Sequence, residues 1–308
     1  MKKSFTASLK CPVCGGGIVV SKIVEEDQRE IRNGVLSCVS CKNTFEIRKG
    51  IADFLPSELH PLLTSEQKGW VARAKKDGWY DVSDEYLLSL PYPEHSNEDM
   101  DWKNAREQFF YMVDKAVPFE WKDKLVLDVG VGKPWSSRYL ANKGAQLVAI
   151  DILEDDRVGL GVADLYMQRD LIFFERALAD MNGLPFQDSS FDVVLYQGAL
   201  HHSIDLQKSL TEADRVLKKG GFIVLSNEAG GGVFSRESLN KPTADGVNEH
   251  NYKTVRYLYL LKKLRYDVTT LQSPSFYEKH GKSRSLFWAY EFWRVARGGA
   301  LMLFARKR

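Results

Sequence analysis

Long apolar runs are absent from this sequence of 308 residues. No stretch approaches the roughly 18–20 apolar residues that a membrane-spanning helix needs, which argues against an integral membrane protein. Lys10 follows the start too soon for a secretory signal, whose apolar segment takes about 7–15 residues. The balance of 44% hydrophobic and 27% charged residues excludes disordered and collagen-like chains. We therefore expect a globular, cytoplasmic protein with one large domain or two unequal ones.

Net charge is also small, at +2, but it is unevenly distributed along the chain. Residues 253–308 contain 13 Lys and Arg against 3 Asp and Glu, a local charge of +10, so residues 1–252 carry −8. Such asymmetry indicates either an anionic partner or substrate, or a solvated basic face. Both interpretations stay open at this point.

Cysteine is scarce, and all four residues lie in two C-x2-C pairs: Cys11, Cys14, Cys38 and Cys41. Each pair can present two thiolates from one tight turn, and Zn2+ prefers four such ligands at the corners of a tetrahedron. The residues between the pairs alternate in the manner of two short strands. The pattern predicts a structural zinc ribbon, with two disulfides or a redox C-x2-C pair as alternatives.

The second cysteine pair is followed by a mixed apolar and basic ending, Phe45-Glu46-Ile47-Arg48-Lys49-Gly50-Ile51-Ala52-Asp53-Phe54-Leu55-Pro56. Over about residues 8–56, the pairs and this ending resemble the small zinc-ribbon proteins that activate tRNA methyltransferases, a module also found fused to methyltransferases. The resemblance implies a zinc-ribbon domain at 1–56. Residues 57–124 are then a helical linker or lid, with a helix over 101–117, whose many aromatic side chains form either core or a substrate wall.

An alternation of strands and helices begins at Leu125. A buried strand, 125–129, is followed by Gly130 and Gly132, a helix over 135–143, and a second strand that leads to Asp151. A glycine turn between a strand and a helix lets a cofactor approach the backbone, and an acidic residue about 20 positions later can hold a ribose. This unit alone is compatible with any Rossmann-like dinucleotide site.

The alternation continues to the end of the chain. Further strands are predicted over 177–181, 189–196, 222–226, 266–271 and 300–305, with helices over 206–217 and 254–264. Such alternation predicts a parallel sheet covered by helices on both faces, with ligands bound beyond the carboxyl ends of the strands.

Four motifs occur in a fixed order in this part of the chain. They are Val126-Leu127-Asp128-Val129-Gly130-Val131-Gly132, then Ala179-Asp180, then Leu184-Pro185-Phe186 with Phe191-Asp192-Val193-Val194, and finally Arg215-Val216-Leu217-Lys218-Lys219-Gly220-Gly221. In order and spacing, over residues 105–308, they closely resemble class I S-adenosylmethionine (SAM)-dependent methyltransferases. The resemblance implies an α/β, Rossmann-like sheet of seven strands with helices on both faces, a methyltransferase domain at 125–308, and SAM as cofactor.

The same resemblance implies a set of cofactor contacts. They are Asp128, Gly130 and Gly132 for the methionine part of SAM, Asp151 for the ribose hydroxyls, Asp180 with Met181 for the adenine, and Gln197 near the methyl group. One position departs from the family: Pro134 stands where a third glycine is usual. Proline suits the first position of a helix, but it removes a donor and adds bulk beside the cofactor.

Two missing features narrow the methyl acceptor. Carbon-5 methylation of pyrimidines typically needs a cysteine nucleophile, and every cysteine here is assigned to zinc. Methyltransferases of exocyclic or amide nitrogens typically carry Asn/Asp-Pro-Pro-Tyr/Phe after the fourth strand, where this chain has Tyr196-Gln197-Gly198-Ala199. Both reactions are therefore disfavoured.

Candidate acid–base residues follow the fourth and fifth strands. His201 and His202 come directly after the fourth strand, where the acceptor should lie, and imidazole titrates near neutral pH. One of them is a candidate general base, or else it caps or packs against the next helix. Glu228 and His250 are second candidates for acid–base or binding roles, with a helix cap or a loop surface as the alternative.

Three functions stay open. A methyltransferase acting on a small-molecule or sugar-type acceptor is favoured. An RNA methyltransferase is the first alternative, because rRNA guanine methyltransferases also place a zinc site ahead of this fold and the basic C-terminal stretch could contact phosphates. A non-catalytic zinc-ribbon interaction protein is the second. The oligomeric state is not determined by the sequence.

Overall fold

The computed structural model of the protein describes residues 1–92, 100–239, 241–281 and 283–308, without the side chains of residues 100–102. The N-terminal segment folds into four short strands: β1 (Ile18–Glu26), β2 (Ile31–Cys38), β3 (Thr44–Arg48) and β4 (Ile51–Asp53). Each strand pairs antiparallel with the next. The two strands predicted between the cysteine pairs, over 18–23 and 29–36, are therefore present. Strand β1 extends three residues further, and β2 is shifted by two residues toward the C-terminus.

Helices dominate the linking segment: α1 (Pro61–Lys76), α2 (Asp84–Ser89) and α3 (Met100–Tyr111), which continues as a π-helical turn over Met112–Ala116. The His60 ring and the Ser83 hydroxyl accept hydrogen bonds from the first turns of α1 and α2, which defines where these helices begin. The predicted helix over 101–117 is present. Residues 93–95 of the predicted Pro-rich loop lie outside the described residues.

The remainder alternates strands and helices: β5 (Leu125–Val129), α4 (Trp135–Asn142), β6 (Gln146–Asp151), α5 (Ala163–Asp170), β7 (Glu175–Leu178), β8 (Phe191–Gln197), α6 (Leu206–Val216), β9 (Leu217–Gly231), α7 (Thr254–Lys263), β10 (Tyr266–Leu271), α8 (Pro274–His280), α9 (Arg284–Arg297) and β11 (Gly298–Lys307). Every predicted strand and helix of this region is present; β5 and β10 have the predicted bounds, and the others have shifted ends. Helices α5, α8 and α9 were not predicted. None of the helices in the described ranges is both long and apolar enough to cross a membrane.

All strands join one sheet in the order β1-β2-β3-β4-β7-β6-β5-β8-β9-β11-β10. The predicted count of seven strands is therefore wrong: β5–β11 supply seven, and β1–β4 extend them to eleven. The extension occurs because β4 pairs in parallel with β7, with Ala52 opposite Ala177. Strand β7 would otherwise leave its backbone groups unpaired at the sheet edge.

Apolar side chains cover both faces of the sheet, which confirms the α/β, Rossmann-like architecture. Successive residues of β5 alternate between the two faces. Leu127 packs in a layer with α6 and α7 that includes the buried side chains of the N-terminal strands, whereas Val126 packs in a layer with α3, α4 and α5. The proposed domain boundaries at residues 56 and 124 stay predictions.

The junction between β1–β4 and the rest of the sheet also contains buried charges. Arg176 of β7 is only 1% exposed, and its guanidinium contacts Glu30 at 2.5 Å and also Asp164 of α5. Arg32 of β2 bridges the same two carboxylates at 2.6 and 2.5 Å. Two arginines and two carboxylates therefore join the N-terminal strands to the α/β unit.

Candidate functional site

The loop after β5 has the backbone shape that a bound cofactor requires. Gly130 and Gly132 adopt φ of +68° and +51°, in the left-handed region that side chains disfavour. A Cβ atom built on Gly130 would come within 2.7 Å of the Cβ of Ala199. The loop therefore approaches the turn after β8 too closely for any side chain at position 130.

Asp151, at the end of β6, holds this loop in place. Its carboxylate accepts hydrogen bonds from the backbone N–H of Gly132 at 2.8 Å and of Leu153 at 2.9 Å. Burial outweighs these hydrogen bonds and raises the pKa of Asp151 above its usual value. The residue predicted to bind ribose hydroxyls thus lies directly beside the predicted glycine loop.

Asp128 lies beneath the loop and is 1% exposed. Its Oδ2 accepts hydrogen bonds from the hydroxyls of Ser136 and Ser137 in α4, both at 2.7 Å, while Oδ1 has no partner among the described residues. Burial raises the pKa of Asp128 to about 6, against the effect of the two hydroxyls. One carboxylate oxygen is therefore available to a donor that the chain itself does not supply.

Pro134 precedes the first residue of α4, as its fixed φ allows. Its neighbour Lys133 is only 7% exposed, and its Nζ lies 4.5 Å from the centre of the Trp79 ring and donates to the Trp79 carbonyl at 3.3 Å. Burial lowers the pKa of Lys133 to about 8. Lys133, the neighbour of Pro134, therefore connects the glycine loop to the linking segment. The sequence did not predict this contact.

The other predicted cofactor residues surround the same loop. Met181 reaches it, with Cε 3.7 Å from the position of a Cβ on Gly130. Asp180 accepts two hydrogen bonds from Asn182, each at 2.9 Å. Gln197, at the end of β8, donates to the Ala105 carbonyl of α3 at 3.1 Å, and its Oε1 has no described partner.

A cleft of about 910 Å³ opens beside Asp151, between α1 and the residues after β6. Its walls include Gln67 and Val71 of α1 and Ile152 and Leu153, which directly follow Asp151. Gln67 also donates to the Ile152 carbonyl at 2.5 Å. Helix α1 of the linking segment therefore forms a wall of this cleft, which begins at the residues directly after Asp151.

His201 is tied to Glu228 of β9. The Glu228 carboxylate is fully buried and accepts hydrogen bonds from the backbone N–H of residues 199, 200 and 201, as well as contacting the His201 Nδ1 at 2.6 Å. Burial disfavours a charged His201 ring, but Glu228 and Glu249 outweigh it and raise the pKa of His201 to about 10. His201 is therefore an imidazolium at neutral pH, held by a carboxylate that shapes the whole turn.

His202 has a different environment. Its Nδ1 lies 2.7 Å from the Asn248 carbonyl and 3.2 Å from Glu66 of α1, and its ring contacts the Trp70 ring edge-on at 5.6 Å. Because a carbonyl oxygen only accepts, the Nδ1 carries the proton and the Nε2 of a neutral ring has its lone pair free. His202 thus has the tautomer that a general base needs.

Two charged residues that the sequence analysis missed complete this group. Glu249 lies 3.3 Å from the His201 Nε2, and this contact lowers the pKa of Glu249 to about 2. Arg73 of α1 contacts the same carboxylate at 3.2 Å. Glu66 and Arg73 come from a helix more than a hundred residues away in the chain, so no local spacing could have revealed them.

His250, the last predicted acid–base candidate, is buried. Its Nδ1 bonds to the Ser203 carbonyl at 2.7 Å, its Nε2 has no described partner, and burial lowers its pKa. Glu228 thus lies near the end of β9, and His201, His202 and His250 lie in the segments that follow β8 and β9. Of these, Glu228 and His250 are enclosed by the chain, whereas His202 is partly exposed.

The four cysteines lie together at the start of the chain. All four sulfurs lie within 4.8 Å of one another, with Cys11 and Cys41 at 3.7 Å and Cys14 and Cys38 at 3.4 Å, and none forms a disulfide. Zn–S bonds of about 2.3 Å place tetrahedral sulfurs about 3.8 Å apart, which these spacings match. The donor set and its geometry therefore fit a zinc ion.

The comparisons with known proteins bear on the α/β part of the chain. Residues 127–225, which run from β5 into β9, match the family model described as a methyltransferase domain. Over these residues the chain is similar to methyltransferase domains. The match spans three of the four motifs in full and begins within the first, at Leu127.

The names of proteins related to this part of the chain refer to different methyl acceptors. A sarcosine/dimethylglycine N-methyltransferase of Halorhodospira halochloris is 33% identical, covering 34% of this chain and 38% of its own. A demethylmenaquinone methyltransferase of Clavibacter sepedonicus is 38% identical, covering 32% and 39%. A chloroplastic tocopherol O-methyltransferase of Arabidopsis thaliana is 25% identical, covering 72% and 62%. The matched segments thus span between about two-fifths and three-fifths of these relatives.

Proposed function

We propose that this protein is a SAM-dependent methyltransferase that acts on a small-molecule acceptor. The observation that carries the proposal is the convergence of two groups at the carboxyl ends of adjacent strands. The glycine loop with Asp151 follows β5 and β6, and the His201–His202 turn follows β8. The names of the three relatives, all methyltransferases of small molecules, support the same acceptor class.

The residues around the glycine loop fit SAM. The unpartnered Oδ1 of Asp128 is an acceptor suited to the ammonium group of the methionine part, and the close approach of Gly130 to Ala199 fixes the shape of the loop beside it. Asp151 would accept hydrogen bonds from the ribose hydroxyls, while Asp180 and Met181 would frame the adenine. Gln197 would lie near the methyl group. The bound cofactor supplies an electrophilic methyl group on a sulfonium.

On the acceptor side, we assign His202 as the general base and His201 as a positioning residue. His202 would take the acceptor proton at Nε2 and keep its own proton on Nδ1, toward the Asn248 carbonyl. His201, whose two ring nitrogens contact Glu228 and Glu249, has no further N–H to offer and would instead fix the turn that borders the acceptor. Glu228 acts through His201 and the turn, rather than on the acceptor.

The cysteine cluster belongs to the proposal as a structural zinc site. Four protein ligands leave no open coordination position, so this ion would stabilise β1–β4 and take no part in methyl transfer. An RNA methyltransferase and a non-catalytic zinc-ribbon interaction protein are the two alternatives that the sequence leaves open. The relatives favour neither, and both become outcomes of the experiments below.

The first experiment is calorimetric titration of SAM and S-adenosylhomocysteine into the zinc-loaded wild type and into Asp151→Asn. We expect binding to the wild type and a loss of at least about tenfold in the variant, since a charged acceptor of two ribose hydroxyls is removed. Asp27→Asn is the matched control, because Asp27 also accepts hydrogen bonds from two backbone N–H groups but lies in the turn between β1 and β2. Absence of binding to the folded wild type would overturn the enzyme proposal.

The second experiment tests the base. Replacing His202 with Gln should lower kcat by about 10²–10⁴-fold, the usual contribution of a general base, with little change in SAM affinity. His201→Gln should instead raise KM for the acceptor more than it lowers kcat. Equal loss of SAM affinity and turnover in His202→Gln would contradict the assignment, and activity only with RNA would replace the acceptor class.

A further inference from the structure

Helix α9 lies on the same edge of the sheet as the candidate active site. Strand β10 runs parallel to β9, because both pair antiparallel with β11 between them. Helices α8 and α9 connect the end of β10 to the start of β11, where Gly298 lies opposite Gly231. Tyr277 of α8 also stacks on Tyr111 of α3 at 5.3 Å. This two-helix insertion therefore borders the region beyond the carboxyl ends of the parallel strands.

The polarity of α9 is the reverse of that of an ordinary surface helix. Its buried side carries Glu291 and Arg294, which pair with each other, and Gln272 donates to Glu291 at 2.9 Å. The outward side carries Trp288, Phe292 and Trp293, which are 62%, 69% and 53% exposed. Helices of a monomeric globular protein bury their apolar stripe, so this arrangement indicates that the aromatic side chains contact something else.

The exposed aromatic surface extends beyond the helix. Phe234, in the loop after β9, is 89% exposed, and the neighbouring Val233 donates its N–H to the Val295 carbonyl of α9 at 2.9 Å. This hydrogen bond holds the Phe234 loop against the end of α9. Together, Trp288, Phe292, Trp293 and Phe234 form what we call the aromatic patch.

The charges of α9 indicate what kind of partner the aromatic patch can bind. The helix has three arginines and one glutamate, and the glutamate is buried against Arg294. The exposed charges of α9 are thus Arg284 and Arg297, and the Arg297 guanidinium lies 4.4 Å from the Trp293 ring. A surface of tryptophan, phenylalanine and arginine matches the interface of a bilayer with anionic head groups.

We propose that the aromatic patch, with Arg284 and Arg297, docks on an anionic membrane surface. The aromatic side chains enter the head-group region and the arginines pair with lipid phosphates. A symmetric dimer through this face would place the same positive charges of two copies opposite each other, which is unfavourable. Docking places the edge that carries the His201–His202 turn next to the bilayer. If the proposed methyltransferase function holds, the acceptor is then a molecule that partitions into membranes.

The test is co-flotation of the protein with vesicles, without cofactor or acceptor, so that its outcome is independent of the proposed reaction. Vesicles of phosphatidylcholine and phosphatidylglycerol are compared with vesicles of phosphatidylcholine alone. We expect partition into the anionic vesicles that decreases with added salt, since exposed charges are screened. Equal partition into both kinds of vesicle, or none into either, would overturn the proposal.

Three variants separate the contributions of the aromatic and the arginine side chains. Trp288→Ser with Phe292→Ser and Trp293→Ser should reduce partition by at least about tenfold, because the apolar area that enters the interface is removed. Arg284→Gln and Arg297→Gln should each reduce it roughly fivefold at low salt, the effect of about 1 kcal/mol per arginine.

The matched control is Val24→Ser with Leu171→Ser, two exposed apolar residues outside the patch, 64% and 79% exposed, which should leave partition unchanged. Circular dichroism confirms that each variant is folded. Light scattering after gel filtration tests the alternative that a second copy of the chain occupies the aromatic patch. A dimer that the serine variant abolishes, without vesicle binding, would overturn membrane docking.

Discussion

The two parts of the eleven-stranded sheet are stabilised in different ways. Strands β1–β4 are short and antiparallel, and they combine a cysteine cluster, buried arginine–carboxylate contacts and a modest share of the apolar core. Strands β5–β11 have apolar residues on both faces and helices covering them. The first part therefore depends on buried charges and on the proposed zinc ion, and the second on apolar area removed from water.

This difference implies that the two parts respond to different perturbations, although they share one sheet. A change at the cysteines should act first on β1–β4, and a change at the glycine loop should act on ligand binding in the α/β part. Buried charges at the junction should affect both. The following predictions use these expectations, starting with the largest effect.

Removal of the metal should have the largest effect. Cys38→Ser, or a chelator, removes a ligand of the proposed zinc ion, whose binding contributes on the order of 10 kcal/mol in small zinc domains. We expect residues 1–56 to lose protection in hydrogen exchange before β5–β11, with metal loss followed by mass spectrometry. Ser21→Ala, a change within β1 that spares the sulfurs, is the control. Unchanged protection of residues 1–56 in metal-free protein would contradict this picture.

The buried charges at the junction between β1–β4 and the α/β part should have the next largest effect on stability. Arg176→Met removes one partner from Glu30, which is buried, and from Asp164, which is partly buried, and should lower the free energy of unfolding by about 3–5 kcal/mol. Arg48→Met is the control, since Arg48 pairs with Glu46 and Asp53 but is well exposed, and it should cost at most about 1 kcal/mol. Urea denaturation measures both. Equal costs would mean that the charges at the junction do not hold the two parts together.

The glycine loop allows a comparison of two glycines with similar backbones. Gly130→Ala and Gly78→Ala both place a side chain at positive φ, +68° and +76°, which costs about 1–2 kcal/mol. Only Gly130 meets crowding, from Ala199, which should add about 1–3 kcal/mol and abolish SAM binding. Thermal unfolding and calorimetry measure the two effects. Retained SAM affinity in Gly130→Ala would contradict the assignment of this loop.

The pH dependence of SAM binding should be the smallest effect. Burial raises the pKa of Asp128 to about 6, with Asp151 as the charged neighbour that raises it further. The ionised form binds an ammonium group, so SAM affinity should fall by up to about tenfold per pH unit below pH 6 and level off above it. The same raised pKa means that the contribution of Asp128 to stability decreases as pH rises from about 4 to 6. In Asp128→Asn, both dependences should flatten.

Sequence patterns predicted the structure correctly where residues close together in the chain determine it. The apolar run of β5, the glycines after it and the acid at the end of β6 form one local unit, and the structure brings Gly132 and Asp151 together as expected. Sequence patterns did not predict the structure where apolar residues lie outside the core. Helix α9 has its aromatic residues outside and a charged pair inside, so its pattern gives no indication of which face is buried.

Contacts between residues far apart in the sequence also could not be predicted from local patterns. Glu66, Trp70 and Arg73 contact the His201–His202 region from α1, and Lys133 contacts Trp79, through tertiary packing alone. The pairing of β4 with β7 rests on three residues of β4. A strand that short has no sequence signal, and its position depends on what lies beside it.

That pairing changes which strand is exposed at the margin of the sheet. Strand β7 is fully buried, and without β4 it would offer unpaired backbone groups to any other extended chain. With the N-terminal strands in place, the outermost strand on this side is β1, which carries Lys22, Glu25 and Glu26 and has several irregularities in its pairing. Charges and bulges of this kind resist further strand addition. The N-terminal strands therefore also protect against aggregation, and a truncation at residue 57 should yield a chain that self-associates through β7.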